Sequence, residues 1–559
     1  MNKEQQKKIE LEKERLNALY GENHELKDNP NLSHSVKCTN GIFVPKIRDT
    51  VRIFRGIPFA LPPIGENRWK KAIPISDSDK IFEAYYNGKS PIQTVIDSER
   101  SSYYPQSEDC LYLNVWVNDI DKSQNKPIMV FIHGGSYGWG GTVDPLYDGY
   151  NFISLHPDVI LITIAYRTGI FGFIDLSYLK GGEGYEDSPN LGILDQIEAL
   201  RWIKKNGSSF GGDINNVTIF GESAGGGSVS ILPLVKEAKG LFHRVIAESG
   251  SLALTYSKEE CKIFTDKLIK AAETDSIDDL LKLSSEEMAK LNEGLNELNN
   301  FPMRDGKLIP TNPYEGYLNG DTKDIDIIIG TNANEMNYWI GELGGLFNYN
   351  VGMPVKYNYD IKNLKEEDLN AVKGFIKKQK GNKVWRITEF YNEIMFRLPA
   401  IKQAEGHSSN GGNVYMYYWK EESKIPLYKA CHAVELAYVF YNIDEIIYTG
   451  EKADEALARN VSQMWVNFAK TGNPSLENII WEKYDTKDRK TMTFKKDNIV
   501  LESDILKEQR ETLFPILQYM INPGYGNLSL EMSAFVKTRS VIDAALNAIS
   551  TLVAEKIIK

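Results

Sequence analysis

The sequence predicts an α/β fold in which helices cover both faces of a large, mostly parallel central sheet. Short, apolar, β-branched runs recur along the chain without apolar–polar alternation, which is typical of strands buried on both faces. Helical stretches such as 194–204 and 258–272 separate these runs, and strands that alternate with helices usually pair in parallel. The predicted strands are 51–54, 111–117, 128–132, 159–165, 217–220, 245–247 and 325–329.

The chain divides into one large domain and two end segments. Its 559 residues are 42% hydrophobic and 25% charged, which is the composition of a globular protein. We expect the α/β domain at residues 35–526, with charged helical insertions at 255–300 and 360–410. Residues 1–34 predict a charged helical extension packed on this domain, and residues 527–559 predict an amphipathic helix. The apolar stripe of that last helix fits either docking on its own domain or self-association into a homo-oligomer.

Charge and hydropathy exclude two classes of partner. The formal net charge is −11 and no basic block stands out, so the acidic surface would repel nucleic-acid phosphates. No apolar run approaches the roughly 18–20 residues that a membrane span needs. The first residues lack the apolar region of a signal peptide, and the four cysteines include no CxxC pair. We therefore expect a cytoplasmic protein that binds neither nucleic acid nor a membrane.

A serine motif follows one of the predicted strands. Residues 221–225 read Gly-Glu-Ser-Ala-Gly, between the strand at 217–220 and a small-residue run that can open a helix. A serine on such a sharp turn projects its hydroxyl above the edge of the sheet, and the helix N-terminus favours developing negative charge. An isolated G-x-S-x-G is a weak signal, and a serine in an ordinary turn is the alternative. The strand and helix context favours Ser223 as a nucleophile.

A serine hydroxyl needs a general base, and the chain has only seven histidines. The hydrolase order implied by this motif places the acid and then the histidine after the serine, which leaves His243, His407 and His432. His243 precedes a buried strand and is expected to be a surface or packing histidine, and His407 lies in a polar segment predicted to be a flexible loop. His432 lies between a polar loop and an apolar segment. It is the best candidate by elimination, which leaves the other two open.

The acid is expected after the strand at 325–329. The loop at 330–335 offers one carboxylate, Glu335. Its role would be to hold the imidazole tautomer and to stabilise the imidazolium. Taken alone, a solvated loop glutamate is the simpler explanation of this residue.

A glycine-rich loop follows the strand at 128–132. Glycines at 134, 135 and 138 permit backbone angles at which successive amides converge. Together with the amide of Ala224, this loop predicts an oxyanion hole, in which one donor is typically worth about 3–4 kcal/mol. No HExxH motif, Cys/His cluster or phosphate-binding loop occurs, so no metal or other cofactor is indicated.

Several motifs in a consistent order carry a family likeness over about residues 35–515. The chain resembles the type B carboxylesterase and cholinesterase family, which implies the α/β-hydrolase fold. The matching stretches are 54–60 with 62–65, 107–115, 133–135, 166–167 with 171–173, 210–213, 217–225, 305–306, the loop of Glu335, and 432–440.

The resemblance implies roles for the candidate residues. It implies Ser223 as nucleophile, Glu335 as acid and His432 as base, with Glu222 in the pocket floor. The oxyanion loop and its partner amide are Gly134, Gly135, Ser136 and Ala224, of which Gly134 shapes the turn.

The resemblance also implies structural features away from the site. Two ion pairs are expected, Arg68 with Glu108 and Arg167 with Asp195. Cys110 matches a disulfide cysteine of the family, but residues 90–93 offer no partner, so we expect this loop to be unbridged.

These observations together predict a serine carboxylic-ester hydrolase. Its Ser-His-Glu triad would form an acyl-enzyme on small-molecule esters with short or aryl groups. Four aromatic residues near the predicted gorge suggest an apolar or aryl substrate: Tyr137, Trp139, Tyr338 and Trp339. One alternative keeps the triad but changes the bond to an amide, carbamate or thioester. The other alternative is a non-catalytic binding module, against which the presence of all three triad residues argues.

Overall fold

The computed structural model describes residues 3–27, 30–93, 104–121, 123–295, 300–342, 365–381, 383–519 and 521. Its strands are β1 (Val36–Cys38), β2 (Gly41–Arg48), β3 (Val51–Pro58), β4 (Ile81–Ala84), β5 (Ser90–Pro91), β6 (Gln106–Ser107), β7 (Tyr112–Asn118), β8 (Lys126–Ile132), β9 (Ile160–Ile164), β10 (Gly212–Glu222), β11 (Arg244–Glu248), β12 (Asp326–Asn332), β13 (Val414–Trp419), β14 (Lys490–Phe494) and β15 (Val500–Ser503).

Helices lie between most of these strands. They are α1 (Lys3–Asn17), α2 (Tyr150–Leu155), α3 (Gly169–Gly172), α4 (Leu191–Asn206), α5 (Ala224–Ile231), α6 (Lys258–Ala272), α7 (Ile277–Lys282), α8 (Ser285–Gly294), α9 (Pro313–Asn319), α10 (Asn337–Glu342), α11 (Glu366–Lys378), α12 (Lys383–Tyr391), α13 (Leu398–Ser409), α14 (Leu436–Val439), α15 (Glu455–Thr471) and α16 (Lys507–Leu513). The predicted helix at 527–559 and the homo-oligomer inferred from it lie outside the described residues.

One large sheet organises the described part of the chain. Its strand order is β1-β2-β3-β7-β9-β8-β10-β11-β12-β13-β14-β15, with β4 beside β2. The strands from β9 to β14 in this order run parallel, and the strands that flank them pair antiparallel. The carboxyl ends of the parallel strands therefore meet at one edge of the sheet, where α/β folds place their ligand sites. This architecture confirms the predicted α/β fold class.

Strand β8 shows why the apolar runs lack alternation. Ile128, Val130 and Ile132 pack into one hydrophobic core, whereas Met129 and Phe131 pack into the other. Successive side chains of a strand point to opposite faces. Because helices cover both faces of this sheet, both sets of side chains must be apolar.

Two buried ion pairs link loops to one another and to α4, as the family resemblance implied. Arg68 Nη2 and Nε lie 2.6 and 2.7 Å from the two carboxylate oxygens of Glu108. Arg167 makes the same two-pronged contact with Asp195, at 2.6 and 2.8 Å, and its backbone amide donates to Asp195 Oδ2. All four side chains are at most 5% exposed. Such geometry compensates two charges that have been removed from water.

Replacing Asp195 by asparagine is expected to lower the free energy of unfolding by about 3–5 kcal/mol, because Arg167 stays buried without a carboxylate. Urea unfolding followed by tryptophan fluorescence measures this loss. The matched control is Asp279→Asn, which breaks the exposed Lys282–Asp279 pair and should leave the free energy of unfolding nearly unchanged. Equal losses in the two variants would contradict a supporting role for the buried pair.

The four cysteines, Cys38, Cys110, Cys261 and Cys431, are buried and free. The expectation of an unbridged Cys110 is therefore confirmed. Among the described residues, no helix is both long and apolar enough to span a bilayer.

Candidate active site

Ser223 lies at the turn between β10 and α5, at the carboxyl edge of the sheet. Its backbone angles, φ 57° and ψ −119°, are strained for a residue with a side chain. The Ser223 amide donates to the carbonyl of Glu248 at 2.8 Å, and the Gly227 amide donates to the Ser223 carbonyl at 2.8 Å. A Cβ atom at Gly225 would lie 1.9 Å from the carbonyl oxygen of Ile132, so glycine is required there. The G-x-S-x-G motif is thus a steric requirement of this turn.

The loop after β8 packs directly on this turn. A Cβ atom at Gly134 would lie 2.8 Å from the carbonyl oxygen of Glu222 and 3.0 Å from Ser223 Cβ. Gly135 has φ 105°, and a Cβ atom there would lie 2.2 Å from the carbonyl oxygen of Trp139. The glycines therefore bring the backbone of this loop within contact distance of the serine.

The amides of Gly135, Ser136 and Ala224 are available as donors. Within the described part of the chain, none of the three donates a hydrogen bond to another protein group. Ser136 has φ 52°, and Ala224 is the first residue of α5, where helical amides lack an intrahelical acceptor. The loop and the helix N-terminus thus offer unpaired N–H groups next to Ser223.

His432 and Glu335 form a buried pair at the same edge. Glu335 follows β12 and is fully buried. Its Oε2 atom lies 2.7 Å from His432 Nδ1, and its Oε1 atom accepts a hydrogen bond from the Asn332 amide at 2.7 Å. The imidazole also packs against the rings of Trp339 and Phe396, with centroids 4.9 and 5.2 Å away. The ring is therefore held by one carboxylate and two aromatic side chains.

Glu222 reaches the other nitrogen of the imidazole. Its Oε1 atom lies 3.0 Å from His432 Nε2. Burial raises the pKa of Glu222 well above its ordinary value, and the nearby carboxylate of Glu335 raises it further. Burial therefore disfavours the charged form of Glu222 beside the serine.

Two more buried glutamates, Glu248 and Glu435, belong to this cluster and were missed by sequence reasoning. Burial raises the pKa of Glu435 to about 8, with a further contribution from Glu222. Burial also raises the pKa of Glu248 well above its ordinary value, and Glu435 adds to the effect. Trp465 Nε1 donates to Glu248 at 3.0 Å, and Asn332 Nδ2 donates to Glu435 at 2.5 Å. The sequence signal that could have revealed them is a glutamate next to apolar residues: Glu248 follows 245–247, and Glu435 lies between Val434 and Leu436.

The serine, the imidazole and the glycine-rich loop face one cavity of about 600 Å³, open mouth included. Glu335 lies behind the imidazole, and Ala224 lies behind the serine. The lining residues are Tyr104, Gly134, Gly135, Ser136, Trp139, Gly140, Gly141, Asp144, Tyr147, Glu222, Ser223, Tyr338, Trp339, His432, Ala433 and Tyr448. Three of the four predicted gorge aromatics, Trp139, Tyr338 and Trp339, are among them.

Tyr137 is not at the cavity, contrary to the prediction. It is fully buried, and its ring packs edge-on against Phe173 and Phe301 at centroid distances of 4.9 and 5.9 Å. Its hydroxyl lies 3.3 Å from Ser228 Oγ. The physical reason is the apolar packing of its ring against Phe173 and Phe301.

The other two histidine candidates lie away from the cavity. His407 is not in a flexible loop, as predicted, but lies buried in α13, with Nδ1 3.0 Å from Thr322 Oγ1. The polar composition of its segment concealed a helix that packs against α9. His243 accepts a hydrogen bond from the Val217 amide at 3.2 Å, which agrees with its predicted packing role.

Comparisons with known proteins agree with this geometry. A family model described as the carboxylesterase family matches residues 39–512. The chain is 35% identical over 511 residues to the para-nitrobenzyl esterase of Bacillus subtilis (strain 168), covering 87% of this chain and 99% of that relative. It is 28% identical to an acetylcholinesterase of Leptinotarsa decemlineata, with 78% of each chain covered. A solved Geobacillus stearothermophilus carboxylesterase aligns with a TM-score of 0.77 at 30% identity, covering 86% of this chain and 99% of that chain.

The parallel sheet, the strained serine turn and the structural neighbours define an α/β-hydrolase. The glycine-rich loop beside that turn is part of the same architecture. The chain belongs to the carboxylesterase family and is a carboxylic-ester hydrolase. The family and the fold predicted from the sequence are thereby confirmed.

Proposed function

We propose that the protein hydrolyses short or aryl carboxylic esters through a triad of Ser223, His432 and Glu335. The observation that carries the proposal is the 2.7 Å contact between Glu335 and His432 Nδ1, beside a cavity that His432 and Ser223 both line. A carboxylate on Nδ1 fixes the tautomer whose Nε2 accepts a proton.

Acylation starts at the serine hydroxyl. Ser223 Oγ attacks the ester carbonyl carbon as His432 Nε2 takes the hydroxyl proton. Glu335 stabilises the imidazolium and keeps its own charge. The amides of Gly135, Ser136 and Ala224 donate to the oxyanion of the tetrahedral intermediate. The intermediate then collapses, the imidazolium protonates the departing alcohol oxygen, and the acyl-enzyme remains.

Deacylation repeats these steps with water as the nucleophile. His432 removes a proton from the water, which attacks the acyl carbonyl in the same oxyanion hole. The second tetrahedral intermediate expels Ser223 Oγ, which regains its proton from His432. A carboxylic acid and free enzyme result.

The cavity lining indicates the substrate class. Its aromatic side chains offer apolar contacts to an acyl or aryl group. In the described lining, Asp144 presents a carboxylate, and there is no lysine or arginine to balance an anionic substrate. We therefore propose neutral small-molecule esters as substrates. The cytoplasmic location stays a prediction.

A panel of three matched substrates tests this function. The substrates are p-nitrophenyl butyrate, the corresponding butyryl p-nitroanilide, and the mono-p-nitrophenyl ester of glutaric acid. We expect kcat/KM for the neutral ester to exceed that for the anilide by at least about 1,000-fold, which corresponds to about 4 kcal/mol. We expect the anionic ester to be at least about tenfold poorer than the neutral one, because its carboxylate approaches Asp144.

Asp144→Asn is the control for the charge argument. It should improve kcat/KM for the anionic ester and leave the neutral ester nearly unchanged. Anilide turnover equal to ester turnover would contradict the esterase assignment. A preference for the anionic ester would contradict the neutral substrate class.

A further inference from the structure

The first helix packs against the wall of the candidate active site. Leu16 of α1 joins a small apolar cluster whose partners from the α/β domain are Tyr104 and Val143. Leu16 is fully buried, whereas Leu11 on the same helix is 55% exposed. Tyr104 lines the cavity, as does Asp144, the neighbour of Val143. Leu16 therefore packs against a residue that lines the cavity.

Polar contacts tie the same wall to the N-terminal segment. The Tyr104 hydroxyl donates to Asp144 Oδ2 at 2.7 Å. Tyr20, which follows α1, places its hydroxyl 3.1 Å from Ser90 Oγ. A Cβ atom at Gly141, a lining residue, would lie 2.5 Å from the same Ser90 oxygen. Tyr20 thus reaches the glycine-rich loop through one intervening side chain.

The N-terminal segment also contacts the chain near a second lining residue of the cavity. Arg15 forms an ion pair with Glu445, three residues before the lining residue Tyr448. Residues 15–20, which we call the N-terminal bracket, therefore join two separate segments that carry lining residues. The family match begins at residue 39, so the bracket lies outside the matched region.

We propose that Leu16 is a positioning residue that acts through Tyr104 and sets how large an ester group the cavity binds well. The proposal rests on the esterase function proposed above. Truncating a buried leucine leaves a cavity into which its neighbours relax. An acyl group that extends to Tyr104 then loses a fixed contact surface, and we expect a hexanoyl chain to be affected more than an acetyl group because it extends further from Ser223. A contact of this kind is made equally in the ground state and the transition state, so its loss raises KM and leaves kcat unchanged.

Steady-state kinetics of Leu16→Ala with p-nitrophenyl acetate and p-nitrophenyl hexanoate test the proposal. We expect the hexanoate KM to rise at least fivefold with kcat unchanged within twofold, and both acetate constants to stay within twofold. Leu11→Ala, at the exposed position of the same helix, is the matched control and should leave all four constants unchanged. Leu16→Met nearly keeps the buried volume and should return the hexanoate KM to within twofold of wild type.

Tyr104→Ala shows whether Leu16 affects KM through Tyr104 or through a general loss of rigidity in the domain. If Leu16 acts through Tyr104, the double variant that combines Leu16→Ala with Tyr104→Ala has the same KM for p-nitrophenyl hexanoate as Tyr104→Ala alone. If the two effects multiply, the residues act independently and the proposal is overturned. Tyr20→Phe removes only the tyrosine hydroxyl that contacts Ser90 Oγ. It tests the role of the N-terminal bracket if Leu16→Ala fails to fold. A hexanoate-selective KM rise of at least twofold in Tyr20→Phe supports the bracket, and an unchanged KM overturns it.

Equal KM changes for the two esters in Leu16→Ala, or a change confined to kcat, would also overturn the proposal. Failure of the proposed esterase function has a different signature, because the wild-type protein would then hydrolyse neither ester.

Discussion

Ser223→Ala is expected to lower kcat for p-nitrophenyl butyrate by at least about 10⁴-fold, because the change removes the proposed nucleophile. The fold should tolerate this change. Alanine keeps the Cβ atom that the turn accommodates at φ 57°, and only the hydroxyl is removed. Steady-state assays measure the activity, and thermal unfolding by circular dichroism measures the stability.

Ser230→Ala is the matched control for this experiment. Ser230 lies in α5, is fully buried, and its hydroxyl has no hydrogen-bond partner among the described residues. We expect its kcat to stay within about threefold of wild type, a change worth less than about 0.7 kcal/mol. A Ser223→Ala enzyme that keeps more than about 1% of the wild-type rate would contradict a nucleophilic role.

Glu335→Gln is expected to lower kcat by about 10³–10⁴-fold, the scale of loss when the buried acid of a triad becomes an amide. The amide preserves the shape of the side chain and can still accept from the Asn332 amide. It cannot stabilise an imidazolium, and its NH₂ group favours the wrong tautomer of His432. Initial-rate measurements over a range of pH values determine the loss.

Glu222→Gln provides the comparison, since it also changes a carboxyl group that contacts the same imidazole. Because burial raises the pKa of Glu222, its neutral form already resembles glutamine. We expect kcat to fall by no more than about tenfold. A larger loss at Glu222 than at Glu335 would reverse the proposed roles of the two glutamates.

The sequence predicted most of the parallel sheet because burial on both faces leaves a plain signal in β-branched runs. Each of the seven predicted runs corresponds to a strand, and the helix predicted at 258–272 is α6. Strand β13 was missed: Val414–Trp419 reads Val-Tyr-Met-Tyr-Tyr-Trp, which is aromatic rather than β-branched. All six of its residues are buried, and its side chains pack on both faces of the sheet, so tertiary packing determines this strand.

The candidate site was predictable to the extent that its residues follow strands directly. Ser223 comes immediately after β10, and the loop that starts at His133 comes immediately after β8. His432 could be selected only by elimination and resemblance, because twelve residues lie between the end of β13 at Trp419 and His432. Tyr137 was misplaced because its ring packs in the core against Phe173 and Phe301, which are far from it in the sequence.

The N-terminal helix shows a different limit. Apolar spacing predicted a helix, and α1 is present at Lys3–Asn17. Its contact with the cavity wall could not be predicted, because Leu16 and Tyr104 are 88 positions apart and neither belongs to a motif. Long-range contacts between single side chains leave no periodic signal in a sequence.

Reaction with a fluorophosphonate, followed by peptide mass spectrometry, tests the central claim most directly. Such a reagent forms a stable covalent bond only with a serine that a neighbouring base activates. The account predicts one phosphonyl group per chain, attached to Ser223, and at least about 100-fold slower labelling of His432→Gln. A modified residue other than Ser223, or equally fast labelling without the imidazole, would contradict it.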